Sequence, residues 1–361
     1  MTMIRIKREY DFFLSLNIIL MIEENYTEFE KREITEKIKP ITFQDIKEEY
    51  QELQKIGDQA KDQSPRSRIG NNIVDFFTFQ ERLHTKGKYG LSFYDFLANM
   101  KSENPENSEN PLKKKKFIQT MLKYYIDVKN KNNTKNEEKV YKEVYNICIS
   151  AINIFRPLMA MEIYTKYKPN TVLDFTCGWG GRLIGASVLG VPKYIGIDSN
   201  IHLIDPYEKM RDFLKTQGSK TETQFFFEDA LTVDYSSLIY DMVFTSPPYY
   251  DLEMYSNQPM ITNVDKNKEK EKEEKENKGK RERKISFKKQ MNENFYKPLF
   301  QKTYHSLQPG GIYALNINLE IYETVCIPIF GKAKEIIPLK KSKRQNNYNE
   351  YIYIYSKTNQ D

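Results

Sequence analysis

From residue 171 to residue 317, short apolar runs alternate with stretches of helical periodicity, and few folds accommodate that alternation. Runs over 171–175, 193–198, 224–227, 241–245 and 312–317 read as buried strands. Between them lie helices over 181–189, 206–214 and 294–307, the last stopped by Pro309, Gly310 and Gly311. The helix over 206–214 carries start signals: Asp205 as N-cap, Pro206 in first position and Glu208 three residues on, with Tyr207, Met210 and Leu214 sharing a face. Segments 335–339 and 351–355 read as a hairpin with a basic, polar tip, its second arm alternating Tyr and Ile. Strand, helix and strand in succession give parallel strands covered by helices, so the expected fold class is α/β, a doubly wound sheet ending in an antiparallel hairpin.

Upstream, Val140, Val144, Ile147 and Ala151 recur at helical spacing, and Pro157 opens a second helix through Leu158, Met161 and Tyr164. Residues 1–136 read as a mostly helical accessory or substrate-recognition region, and 102–116 as an exposed linker. The main domain then runs over 137–361, with a charged low-complexity insert at 262–285. Pairs such as Glu271 with Lys275 can support a solvated helix there, but the insert has nothing to bury, and it is either a solvated excursion or a tether for nucleic acid. The 56 basic against 50 acidic residues leave a net charge of +6, a mild attraction to phosphate that does not by itself establish a nucleic-acid partner.

Cys148, Cys177 and Cys326 are too sparse for a disulfide framework and fit a reducing, intracellular compartment, cytoplasm or nucleus. With only His84, His202 and His305 and no zinc spacing, no metal is expected. Arg5, Lys7 and Arg8 precede the apolar stretch 12–22 as in a signal peptide, but Asp11 and Asn17 interrupt it and no small-residue cleavage site follows, so a buried element is expected and no membrane.

Two motifs carry chemistry. The first, Asp174-Phe175-Thr176-Cys177-Gly178-Trp179-Gly180-Gly181-Arg182, places three glycines after a buried strand, where the backbone turns tightly and a helix offers free N–H groups. Alone it is also a plain strand-to-helix connection. The next strand, however, ends in Asp198 about twenty residues on, where a ribose diol is bound in such folds, and Asp229 follows the strand after. Together these residues point to a nucleoside cofactor. The second motif is Thr245-Ser246-Pro247-Pro248-Tyr249 at the end of an apolar strand. Proline cannot donate to a sheet ladder, so Pro247 and Pro248 make a rigid ledge. On it the Ser246 hydroxyl and nearby carbonyls accept from an amino group, and the Tyr249 ring can lie against a planar base.

The pair of motifs resembles the S-adenosylmethionine-dependent amino-methyltransferases of DNA, the N4-cytosine and N6-adenine class, over about residues 150–361. The resemblance implies a Rossmann-like, seven-stranded sheet with S-adenosylmethionine as cofactor. Asp174, Gly178 and Gly180, with Phe175, Thr176 and Cys177 between, would shape the methionine pocket; Asp198 would hold the ribose and Asp229 would lie near the adenine. Phe175 and Trp179 stand where the family usually has Pro and a small residue.

In a doubly wound sheet the first and fourth strands are neighbours, so Gly178 and Ser246 are expected across one crevice. Direct transfer to a flipped base stacked on Tyr249 follows, with Ser246 and the Pro247 carbonyl drawing on the amine. By resemblance, Ser before Pro-Pro-Tyr favours N4-cytosine over N6-adenine, and the partner is DNA ahead of RNA.

Other readings stay open. An enzyme of the same fold acting on RNA or a protein amide would use the same ledge, and a noncatalytic subunit would keep the fold. Cys177 as the nucleophile of a C5-cytosine enzyme is disfavoured by its place inside the cofactor turn. The isolated histidines read as surface or packing residues. Tyr250, Asp251, Glu253 and Tyr255 line a substrate channel or cap a helix, and Arg182 is a helix-surface charge or a phosphate contact.

Overall fold

The computed structural model describes residues 25–87, 90–101, 116–149, 152–250, 287–339 and 350–358. Its centre is a seven-stranded sheet of β1 (Thr171–Asp174), β2 (Lys193–Ile197), β3 (Glu222–Phe226), β4 (Met242–Thr245), β5 (Ile312–Ile317), β6 (Glu335–Pro338) and β7 (Tyr351–Ser356). The strands lie in the order β3-β2-β1-β4-β5-β7-β6. The first five pair in parallel, and β7 runs antiparallel to both β5 and β6. This is the doubly wound, Rossmann-like sheet expected from the sequence, hairpin included, with strand ends shifted by one or two residues; the segment expected as a helix over 294–307 instead runs helical from 287 to 305.

Successive strand residues feed opposite faces, because side chains alternate along a strand. Val172, Tyr194, Met242, Phe244, Ala314, Ile352 and Ile354 enter one core, while Leu173, Ile195, Ile197, Val243, Leu315 and Tyr353 enter the other. The Tyr–Ile alternation of β7 is thus a two-sided burial, and Tyr353 stacks on Tyr322 at 3.9 Å between ring centroids.

Two local readings change. The helix after β2 spans Ile204–Thr216, and Asp205 lies inside its first turn, paired with Lys209 at 2.6 Å. A one-turn 3₁₀ helix, Ile201–Leu203, runs straight into it, so the cap falls earlier, on Asn200, whose side chain accepts from the His202 N–H. In the helix Glu137–Cys148 the buried face is Val140, Tyr141, Val144, Tyr145 and Cys148, whereas Ile147 is 50% exposed.

The chain forms two compact units, Met1–Pro40 with Leu91–Ile149, and Ile41–Gly90 with Ser150–Asp361. This differs from the expected boundary at 136/137. Helices Phe43–Ile56 and Asn71–His84 supply Ile46, Tyr50, Leu53, Ile73 and Val74 to the same core as Met161, Leu183 and Phe213, so burial binds residues 41–90 to the sheet. The other unit is helical where described, with Glu28–Ile38, Phe93–Lys101, Lys116–Tyr124 and Glu137–Cys148. Thr27 and Glu30 form a capping box at its first helix, and the Tyr145 hydroxyl donates to the Leu91 carbonyl at 3.0 Å. The apolar stretch 12–22, nearly all of the linker 102–116, the insert 262–285 and the hairpin tip lie outside the described residues.

After β1 the helix Gly181–Val188 sits close against the segment ahead of helix Pro157–Tyr167. A Cβ on Gly181 would lie 1.8 Å from the Phe155 carbonyl oxygen, so only glycine lets these backbones meet. Gly181→Ala is therefore expected to cost about 3 kcal/mol, the upper end for overpacking, read as a lowered urea midpoint. An unchanged midpoint would show that the approach is looser than described.

Candidate active site

The glycine turn is stitched to the tip of β2. The Cys177 N–H donates to the Ile197 carbonyl at 2.8 Å, and the Gly178 N–H donates to Asp198 Oδ2 at 2.9 Å. Asp198 Oδ1 accepts from the Asn200 N–H at 2.9 Å, which leaves each carboxylate oxygen a further lone pair. Burial pushes the Asp198 carboxyl up to about 6, against the downward pull of those two N–H donors.

The three glycines have separate tasks. Gly178 has φ +56°, and the nearest atom to a Cβ there is 3.9 Å away, so the chain is open to a neighbour at that point. A Cβ on Gly180 would instead stand 2.7 Å from the Met210 side chain. Tyr207 supports the turn from beneath, its hydroxyl donating to the Cys177 and Gly178 carbonyls at 3.0 Å each. Phe175 is wholly buried and Trp179 is 6% exposed, with the Arg82 guanidinium 5.9 Å from its ring. The two departures from the family pattern are thus core fillers. Cys177 is also buried, and burial, then the charges of Asp198 and Asp174, hold its thiol well above the usual range, which removes the nucleophile reading.

Asp174 and Arg182 form one buried unit. The Asp174 carboxylate has no exposed surface and accepts from Arg182 Nε at 2.6 Å, Arg182 Nη2 at 3.1 Å and the Tyr194 hydroxyl at 2.5 Å. Arg182 also donates to the Thr176 carbonyl at 2.6 Å and lies 5.1 Å from the Phe155 ring. Burial pulls this guanidinium down, and the Asp174 carboxylate more than reverses that, holding it above its ordinary value. Arg182 is therefore neither a surface charge nor a phosphate contact, and Asp174 shapes the turn from inside the core rather than from a pocket wall. Asp229, expected near the adenine, is exposed after β3, where its side chain accepts from the Leu231 N–H at 2.9 Å.

β1 and β4 pair directly, and the turn after β1 is clasped to the last residue of β4. The Thr176 and Thr245 hydroxyls are 2.6 Å apart, and the Thr176 N–H donates to Thr245 Oγ1 at 3.2 Å. Ser246, half-buried at the next position, donates its hydroxyl to Asn316 Oδ1 at 3.0 Å. Tyr249 is 9% exposed, and its hydroxyl donates to the carbonyl and the Oδ1 of Asn316, both at 3.1 Å. The ring expected to lie against a planar base is thus largely covered and held in place. The Tyr296 hydroxyl donates to the Pro248 carbonyl at 2.5 Å and accepts from the Tyr250 N–H at 3.1 Å. Tyr250 has φ +48° and donates its own hydroxyl to Asn292 Oδ1 at 2.8 Å, so it braces the ledge. Asp251, Glu253 and Tyr255 lie outside the described residues.

Sequence reasoning missed Asn316, Tyr296, Asn292 and Tyr207. Only Asn316 carried a signal, as the single amide within the apolar run of β5. Among the described residues no His, Cys, Asp and Glu cluster could hold a metal ion, and no helix is long and apolar enough to cross a membrane.

No family model matches the chain, and no curated protein matches it in sequence. Solved structures similar to it include an rRNA methylase from Streptococcus thermophilus, 14% identical, covering 57% of this chain and 99% of the other at a TM-score of 0.34. TrmN from Thermus thermophilus is 16% identical over 56% of this chain and 48% of its own, at a TM-score of 0.33. TehB from Haemophilus influenzae is 12% identical over 62% and 67%, at a TM-score of 0.32. Scores this low assign no residue, and the strand order with its antiparallel seventh strand is the deciding observation. The fold is the class I methyltransferase fold.

The residues fit a nucleoside cofactor such as S-adenosylmethionine. Gly178 leaves open room beside the backbone, and Asp198 offers acceptors to a diol at the tip of β2. A protonated Asp198 accepts less well, so affinity should rise with pH through about 6, by up to about tenfold per pH unit on the acid side. Calorimetric titration with S-adenosylmethionine from pH 5 to pH 8 should show this slope, and Asp198→Asn should bind weakly with a flat profile. A sloping profile in that variant would assign the titration to another group.

Proposed function

We propose that the chain is an S-adenosylmethionine-dependent N-methyltransferase acting on the exocyclic amine of a base, in DNA ahead of RNA and on N4 of cytosine ahead of N6 of adenine. The single observation that carries the reading is the clasp of Thr176 on Thr245, which brings a turn suited to the cofactor beside a ledge suited to an amine.

When bound, the cofactor supplies a methyl group on a positively charged sulfur. Gly178 and Asp198 would hold it, with Asp229 near its base. Ser246 would accept one hydrogen of the amine and the Pro247 carbonyl the other; among the described residues no hydrogen bond occupies that carbonyl. An exocyclic amine is a poor nucleophile because its lone pair is spread into the ring. Two acceptors placed out of the ring plane favour the pyramidal form that attacks. The ledge is rigid, so the geometry is set before the substrate arrives. A base in a duplex would have to be flipped out to reach it.

The choice of DNA rests on the resemblance of the two motifs, and the net charge of +6 is compatible with any nucleic acid. An RNA base amine or a protein side-chain amide presents the same N–H pair, so both belong in the test. Labelled S-adenosylmethionine is incubated separately with DNA, RNA and protein, and the modified nucleoside or residue is identified by mass spectrometry. N4-methylcytosine in DNA is expected. Label in RNA or protein alone would move the substrate, and label in none of the three would refute the reading. Ser246→Ala should lower transfer about 10²-fold while cofactor affinity stays within about twofold. A weakened cofactor affinity in that variant would place Ser246 on the donor side instead.

A further inference from the structure

Among the polar side chains buried near the ledge, Asn316 touches both Ser246 and Tyr249, and the proposed chemistry gives it no task. It lies on β5, 2% exposed, with every polar atom engaged. Its Nδ2 donates to the Tyr351 carbonyl on β7 at 3.1 Å. Its Oδ1 receives the Ser246 hydroxyl at 3.0 Å and the Tyr249 hydroxyl at 3.1 Å.

The direction of these bonds follows from one fixed point. The Tyr351 carbonyl can only accept, so the amide nitrogen of Asn316 must face it and the amide oxygen must face the ledge. An amide oxygen can only accept in turn, so the Ser246 hydroxyl must give its one hydrogen to Asn316. What Ser246 then has left for a ligand is lone pairs alone. A serine hydroxyl free to rotate would offer its hydrogen to a carbonyl as readily as its lone pair to an amine.

We infer that Asn316 is a positioning residue: it orients Ser246 as a hydrogen-bond acceptor and so makes the ledge select a group that brings N–H donors. This rests on the amine-directed reading above. A base edge presenting an amine is accepted, and one presenting a carbonyl there meets lone pairs against lone pairs. Asn316 touches no reacting atom in this scheme; it acts on the amine through Ser246, and the same oxygen helps to secure Tyr249, whose hydroxyl also bonds the Asn316 carbonyl.

Neutron diffraction from deuterium-exchanged wild-type crystals reads the hydrogen directly and needs no substrate. The Ser246 deuterium is expected on the line to Asn316 Oδ1, with an Asn316 nitrogen deuterium toward Tyr351. A Ser246 deuterium directed elsewhere overturns the inference whether or not the enzyme is active. In transfer assays on the substrate found above, Asn316→Asp keeps the acceptor and loses the donor, and should lose less than about tenfold in kcat. Asn316→Leu removes the acceptor and should fall about 10²-fold with KM for S-adenosylmethionine unchanged. Placed in a Ser246→Ala background, Asn316→Leu should add less than about threefold, because both changes remove the Ser246–Asn316 bond and the Tyr249 hydroxyl keeps its bond to the carbonyl of residue 316. Full multiplication of the two losses, or an Asp variant as impaired as the Leu variant, would reduce Asn316 to a structural strand residue. Absence of transfer by the wild type to DNA, RNA and protein would remove the amine reading, and the neutron map would still decide the hydrogen.

Discussion

A carboxylate with no exposed surface at the end of a central strand needs a partner of opposite charge, and the site depends on how this one is satisfied. Asp174 is met by Arg182 and by the Tyr194 hydroxyl, which links β1 to the following helix and to β2. Removing one member of such a pair leaves a buried, uncompensated charge, so the unit holds together or fails together. Arg182 reaches on to the Thr176 carbonyl, and Thr176 in turn grips Thr245. Through these contacts one buried charge pair is connected to the cofactor turn and to the root of the ledge.

The two halves of the site are built differently. At the glycine turn, side chains meet backbone: N–H groups of Gly178 and Asn200 fix the Asp198 carboxylate, and carbonyls of the turn are held by the Tyr207 hydroxyl. On the ledge side, side chains of β5 and of the segment ahead of the Lys297–His305 helix hold a run that its prolines make unable to pair in a sheet.

The sheet was legible because its signals are local. Short apolar runs alternating with helical periodicity mark the parallel strands, and the Tyr–Ile alternation marks β7. Gly178, Asp198 and Ser246 were legible as strand-tip residues, since the position after a strand in this topology is a ligand position. What was hidden depends on partners far apart in sequence. Nothing around Arg182 announces that it turns inward, and nothing around Tyr296 announces that its hydroxyl meets Pro248. Asp205 misled because its capping pattern is sound by itself, and the 3₁₀ turn ahead of it overrides that pattern. Residues 41–90 misled because their helices look like any amphipathic helices, and periodicity does not say which core a face joins.

The interleaving of the two compact units constrains how the chain is made. Residues 41–90 leave the ribosome well before Met161, Leu183 and Phe213, whose core they share. Residues 25–40 likewise precede their own partners in 91–149 by a full intervening segment. Neither unit can close by zipping from its beginning, and each must hold an open loop until distant chain arrives, which raises the entropic cost of the first native contacts. During synthesis the helices Phe43–Ile56 and Asn71–His84 emerge before Met161, Leu183 and Phe213, with which they share a core. The order of the chain along the two units therefore sets which native contacts can form early and which must wait for distant segments.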